Sequence, residues 1–132
     1  MTIRIVRLGS PRLQDEGPRL GTVRRPPRGV PKAEFASRDF YDVWYPTLAP
    51  SVDAMHAAQA AAAADDAAGW RAFERRFRAE MAAPDAARGL DVLATLSHAA
   101  NFSLGCYCAD EARCHRSVLR ALLTARGAAI TD

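Results

Sequence analysis

The chain reads as an α/β protein, with a small parallel or mixed sheet covered by helices in one compact domain. Three observations predict this. Apolar strand-like segments stand near the N-terminus and at residues 102–108, with amphipathic helical stretches between them. Strands that alternate with helices build a sheet with helical cover. At 132 residues the chain has the length of a single core. Its 49% hydrophobic and 25% charged residues are the balance of an ordinary globular domain, which excludes collagen-like, mucin-like and wholly disordered chains.

The elements follow in order. Ile3 and Ile5 alternate with Arg4, so residues 3–8 form a strand. Residues 10–18 are polar and proline-flanked, hence a loop. A second short strand at residues 20–24 must stop by Arg25, because Pro26 and Pro27 cannot donate ladder hydrogen bonds. Arg24, Arg25 and Arg28 then occupy a stiff loop closed by Gly29. A short helix is expected to start near Ser37. Ser51 caps the next helix, which runs through an alanine tract to about Ala64, and Gly69 interrupts. Trp70, Phe73, Phe77 and Met81 recur at helical spacing with arginines opposite, the clearest amphipathic helix in the chain. Pro84 ends that helix or opens the next at its first position. Leu90, Leu93 and Leu96 mark a further helix, residues 102–108 a buried strand, and residues 112–126 a last helix stopped by Gly127. The expected core is Ile3, Ile5, Trp70, Phe73, Phe77, Leu93, Leu96, Leu104, Cys106, Leu119 and Leu122.

Net charge is +3, and Lys32 is the one lysine among 18 basic residues. Arginine suits bidentate contact with carboxylate or phosphate, which tilts the prior toward an anionic partner. No segment has the roughly 18 unbroken apolar residues of a bilayer span, so no membrane partner is expected. The N-terminal apolar run contains Arg4 and Arg7 and has no signal-peptide core. A cytoplasmic location is expected. The three cysteines all lie between residues 106 and 114, which is not the spread of a disulfide framework.

That cysteine stretch is where chemistry is legible. Cys106 and Cys108 sit two apart on a strand and face one side. Cys114, His115 and Arg116 fall at the start of a helix. In open α/β sheets ligands bind beyond the carboxyl ends of the strands, and a helix N-terminus there favours an anion. A cysteine so placed, beside His and Arg, has a lowered pKa. Cys106, mid-strand in apolar surroundings, has a raised one.

The chain also resembles the DUF488 family of small bacterial proteins, the YeaO-like group, over nearly its whole length. The resemblance rests on Arg24, Pro27-Arg28-Gly29 and Lys32, on Asp42-Val-Trp44 and Leu48-Ala-Pro-Ser51, and on Trp70-Arg-Ala-Phe73 with Arg78-Ala-Glu80. It continues through Leu104-Gly-Cys-Tyr-Cys108 and Cys114-His-Arg-Ser117. Many members carry Val-Asp-Arg-x-Trp-Pro-Arg-Gly in the first block, where this chain has Val23 and Pro26 in place of that Asp and that Trp. The resemblance implies a compact α/β domain and no particular activity.

Four readings of the cysteine stretch compete. The first is a structural zinc site from Cys106, Cys108, Cys114 and His115; C-x-C is short for a zinc knuckle, and adjacent residues on a helix point apart. The second is nucleophilic catalysis by Cys114, with His115 and Cys108 beside it. The third is a non-covalent anion site that uses Arg24, Arg28, Arg116 and Ser117. The fourth makes the cysteines core fillers. Asp110 and Glu111 read as capping charges rather than bases, His98 as a partner of helix-end carbonyls and His56 as solvated. The preferred reading is a small enzyme or ligand-binding domain with a phosphate- or nucleotide-like anion site at residues 106–117. The alternatives are a nucleic-acid-binding module and the zinc site. No metal ligand and no cofactor is assigned.

Overall fold

A computed structural model describes residues 1–131 of the chain. Five parallel strands form one sheet in the order β3-β2-β4-β1-β5: β1 (Ile3–Arg7), β2 (Arg19–Gly21), β3 (Val43–Trp44), β4 (Phe102–Cys106) and β5 (Ile130–Thr131). The α/β class read from the sequence is therefore the observed one. β4 is central and buried at every residue. It pairs with β1 from Ile3 opposite Phe102 to Arg7 opposite Cys106, and with β2 through Leu20 opposite Leu104. The register carries Cys106 and the residues after β2 to the same carboxyl edge.

Three helices connect β3 to β4: α1 (Val52–Ala63), α2 (Ala67–Met81) and α3 (Pro84–Leu96). Ser51 starts α1 as its sequence predicts, its Oγ accepting from the Ala54 amide at 3.2 Å. The same hydroxyl donates to Glu80 Oε2 at 2.5 Å, which ties the start of α1 to α2. Gly69 does not interrupt. It lies in the first turn of α2, its amide donating to the capping carboxylate of Asp66 at 3.0 Å. A Cβ at Gly69 would stand 2.5 Å from Asp66 Oδ2, so glycine is what lets the cap close. Phe73, Phe77 and Met81 are buried, and Pro84 opens α3 at its N-terminus.

The last helix, α4 (His115–Ala125), packs behind β4 and ends before Gly127, which takes φ +78°. It starts three residues later than the sequence suggests. A 3₁₀ turn at Glu111–Arg113, capped by Asp110, comes first, and Cys114 then adopts extended backbone (φ −132°, ψ 152°) as the N-cap of α4. Likewise β4 ends at Cys106 rather than Cys108. No helix starts at Ser37; a 3₁₀ turn at Lys32–Glu34 stands just before it.

Two apolar clusters result. The larger joins the sheet to all four helices through Ile3, Leu48, Ala54, Phe73, Phe77, Leu90, Leu104, Val118, Leu119 and Leu123. Leu96 is 43% exposed because it occupies the last turn of α3, and on α4 it is Leu123 rather than Leu122 that is fully buried. Ile5, Trp70 and Leu122 are only partly buried against the core. The smaller cluster holds Leu8, Val23, Tyr41, Cys106 and Cys114 at the carboxyl edge. Among the described residues no helix is long and apolar enough to cross a membrane.

A buried ion pair that no sequence pattern announces locks the first loop. Arg19 and Glu16 are 1% and 2% exposed, with Nε to Oε2 at 2.5 Å. Arg19 also donates to the carbonyls of Ser10 at 2.8 Å and Asp39 at 2.6 Å. Burial works against the Glu16 charge, but the Arg19 hydrogen bonds and charge prevail and hold its pKa below the usual carboxylate value.

Candidate thiol site

The site lies where β2 and β4 end and α4 begins. Parallel strands deliver Thr22 and Cys106 to one edge, and the 3₁₀ turn swings the chain back so that Cys114 caps α4 above them. His115 is buried. Its Nε2 donates to the Thr22 carbonyl at 2.7 Å, and its ring meets the edge of Phe77 at 5.4 Å between centroids. A carbonyl only accepts, so Nε2 carries the proton and Nδ1 is left facing Cys114 Sγ, 3.7 Å away.

Arg116 is 3% exposed, yet no carboxylate pairs with it among the described residues. Its Nη2 donates to the Cys108 carbonyl at 2.6 Å, and its Nε is directed at Cys114 Sγ at 3.3 Å. A buried guanidinium demands a compensating negative group, and the Cys114 sulfur is the group placed to be one. The thiols divide accordingly. Hydrogen bonds from the Cys106 and Cys108 thiols, joined by the His115 contact and charge, outweigh burial and lower the Cys114 pKa. Hydrogen bonds with Cys108 and then Cys114, with burial, push Cys106 up. Cys108 is also raised, its contact with Cys114 and burial outweighing the opposing hydrogen bond from Cys106. Cys106 Sγ and Cys108 Sγ are 3.9 Å apart.

The thiols open on a cavity of about 860 Å³. Arg24, Arg28, Cys108, Cys114 and His115 all line it, so the geometry brings together five residues singled out in the sequence. Arg25, Arg113, Tyr107 and His56 line it too, and among the described residues no carboxylate does. Arg116 and Ser117 do not reach the cavity wall. Arg116 stands behind Cys114, and Ser117 Oγ turns back to the Cys114 carbonyl at 2.9 Å.

The wall residues are held differently. Arg24 is committed to backbone, Nε to Pro50 O at 3.1 Å and Nη2 to Ala49 O at 3.0 Å. Arg28 is exposed and makes no hydrogen bond or ion pair among the described residues. Arg113 pairs with Asp65 at 2.6 Å. Tyr107 fastens the arginine loop to the end of β4, its hydroxyl donating to the Arg25 carbonyl at 2.8 Å. Asp110 caps the Ala112 amide at 3.0 Å and Glu111 pairs with Arg120 at 2.6 Å, the structural roles their positions suggest. His98 binds the Gly127 carbonyl at 2.8 Å.

His56 is exposed, as its place on the alanine-rich helix suggests, and it also lines the cavity, because Met55, Ala58, Gln59 and Ala62 lie along one face of α1 and that face forms a wall. The i, i+3, i+4 and i+7 spacing was the available signal. The ligand atoms of Cys106, Cys114 and His115 lie within 4.8 Å of one another, a soft donor set of the kind zinc takes. The expectation that adjacent Cys114 and His115 must diverge assumed helical backbone at both. The extended N-cap of Cys114 removes that assumption.

Neither the curated proteins nor the solved structures yielded a match. A family model described as the "Active DUF488-N3 subclade" matches residues 3–127, which spans every element from β1 to α4. The chain belongs to the DUF488 family.

Proposed function

We propose that this chain is a small enzyme that binds an anionic, phosphate-bearing substrate in the cavity and attacks it with the Cys114 thiolate. One observation carries the reading: a buried arginine without a carboxylate, Arg116, aims Nε at Cys114 Sγ across 3.3 Å, and that sulfur faces a cavity walled by arginines. The proton lost from the thiol goes to His115 Nδ1, whose ring is fixed by the Thr22 carbonyl. The thiolate then attacks the electrophilic centre of the substrate, while Arg28 and the free Nη1 of Arg24 hold its anionic group. Arg116 is a positioning residue here, since it touches the sulfur and not the cavity.

The test compares two alkylating reagents, negatively charged iodoacetate and neutral iodoacetamide, on the native protein near neutral pH. An arginine-walled site raises the iodoacetate-to-iodoacetamide rate ratio at Cys114 well above that of free cysteine. Inorganic phosphate lowers the ratio again by competing for the same guanidinium groups. A ratio equal to that of free cysteine, unmoved by phosphate, contradicts the anion site.

A further inference from the structure

The sulfur cluster holds more thiols than a single nucleophile needs. Cys106 Sγ lies within 4.8 Å of Cys114 Sγ, the two residues come from different elements, and the chain between them makes a loop and a 3₁₀ turn. We propose that Cys114 and Cys106 form a peroxide-reactive pair, in which a small hydroperoxide oxidises Cys114 and Cys106 resolves the product as a disulfide. The inference rests on the thiolate reading of Cys114 and adds a second reaction to the same site.

The steps balance. The Cys114 thiolate attacks the distal oxygen of ROOH. A sulfur–oxygen bond forms, the oxygen–oxygen bond breaks, and the leaving alkoxide takes the proton held on His115 Nδ1. The products are Cys114 sulfenic acid, neutral His115 and ROH. His115 Nδ1, neutral again and within 4.8 Å, takes the Cys106 proton, and the Cys106 thiolate attacks the sulfenic sulfur. A sulfur–sulfur bond forms, and hydroxide leaves with the Cys106 proton as water. Two thiols have lost two electrons, the hydroperoxide has gained them, and the products are a disulfide, ROH and water.

The geometry supports each part. Cys114 lines the cavity with only 2% of its surface exposed, an opening suited to a molecule as small as hydrogen peroxide. Arg116 Nε holds the sulfur from behind, and the imidazole Nδ1 beside it is placed to return a proton to the departing oxygen. Cys106 is buried beside it, so the sulfenic acid forms within reach of a second sulfur. Bond formation draws the sulfurs from under 4.8 Å to about 2.0 Å, which rotation of the two side chains and a shift of the intervening turn supply. Cys108, exposed and 3.9 Å from Cys106, is the competing partner that the experiment must exclude.

The sequence makes the products separable. Trypsin cuts after Arg88, Arg113 and Arg116, so Cys114 leaves in a tripeptide and Cys106 and Cys108 together in the peptide of residues 89–113. The reduced protein is treated with one molar equivalent of hydrogen peroxide, quenched with iodoacetamide and digested without reductant. The expected result is the Cys114 tripeptide linked to peptide 89–113, with one thiol left of three. Cys108→Ser keeps the link. Cys106→Ser loses it and, with dimedone present, yields a sulfenic acid adduct at Cys114. A link that survives Cys106→Ser but not Cys108→Ser overturns the assignment, as does oxidation that joins only Cys106 to Cys108 within their peptide. Rapid alkylation of Cys114 at neutral pH without any link after peroxide also overturns it, and leaves the thiolate enzyme reading standing. Slow alkylation removes both.

Discussion

Arg24 and Arg28 stand four residues apart in one loop and line one cavity, yet the structure gives their removal opposite consequences. Arg24 spends two donors on the carbonyls of Pro50 and Ala49, immediately before the Ser51 cap of α1. A hydrogen bond from a charged donor contributes about 1.5–3 kcal/mol. Arg24 is half-buried and water can reach part of the space it leaves, so Arg24→Ala is expected to cost about 2–3 kcal/mol in all. For a domain of this size each kcal/mol lowers Tm by roughly 3–5 °C. Urea melts followed by far-UV circular dichroism should then show a lower midpoint with an unchanged slope. Arg28 has no partner among the described residues, so Arg28→Ala should leave the midpoint within about 0.5 kcal/mol of the parent. The same variant should weaken phosphate protection of Cys114 against iodoacetate. The two carbonyl bonds are what set Arg24 apart from Arg28. A loss under about 0.5 kcal/mol for Arg24→Ala, or a loss over 2 kcal/mol for Arg28→Ala, refutes the division of labour.

Three further outcomes follow from the packing and the charges. Phe73 is 2% exposed and stacked on Phe77 at 5.8 Å, so Phe73→Ala should cost about 3–5 kcal/mol in urea melts; a loss under 1 kcal/mol would place the ring outside the core. Glu16→Gln strands the buried Arg19 charge and should cost about 3–5 kcal/mol. Because the folded pKa of Glu16 lies below its unfolded value, its contribution is fully present above about pH 4.3 and is lost as pH falls through the folded value. The parent's stability should therefore fall more steeply on acidification than that of Glu16→Gln, and parallel curves would contradict this. Because the buried Arg116 guanidinium already supplies positive charge at Cys114 Sγ, elemental analysis of the purified protein should find no stoichiometric zinc; one zinc per chain, lost on changing Cys114, would turn the sulfur cluster into a metal centre.

Much of the fold was legible because its signals are local. The Ser51 cap, the aromatic spacing of α2, Pro84 at the start of α3 and Gly127 after α4 each act within one or two turns. What was illegible depends on partners distant in sequence. β3 and β5 are two residues each and exist only through their ladders to β2 and β1, so neither has a periodicity to read. Arg19 reaches Asp39 across 20 residues, and nothing near either position announces it. Leu96 and Leu122 show the limit of helical spacing, which finds the apolar face and not the position at which that face leaves the sheet.

The site divides the same way. The strand-to-helix placement of Cys106, Cys108, Cys114 and His115 is readable from spacing, because the carboxyl edge of a parallel sheet is fixed by topology. The arrangement of Arg116 is not. Beside a helix N-terminus it reads as a ligand-binding arginine, whereas the extended backbone of Cys114 turns it inward onto the sulfur. The 3₁₀ turn that causes this is set by Asp110, whose capping role was visible while its consequence for Cys114 was not.

The central claim is that Cys114 is a thiolate at neutral pH. Iodoacetamide alkylation of the native protein across a pH series, read by mass spectrometry at each cysteine, measures it directly. The account predicts that Cys114 reacts first, with a midpoint well below the value of about 8.5 for an unperturbed thiol, and that Cys106 does not react while the protein is folded. Reaction of Cys114 only above about pH 8.5, or none in the native state, would contradict it.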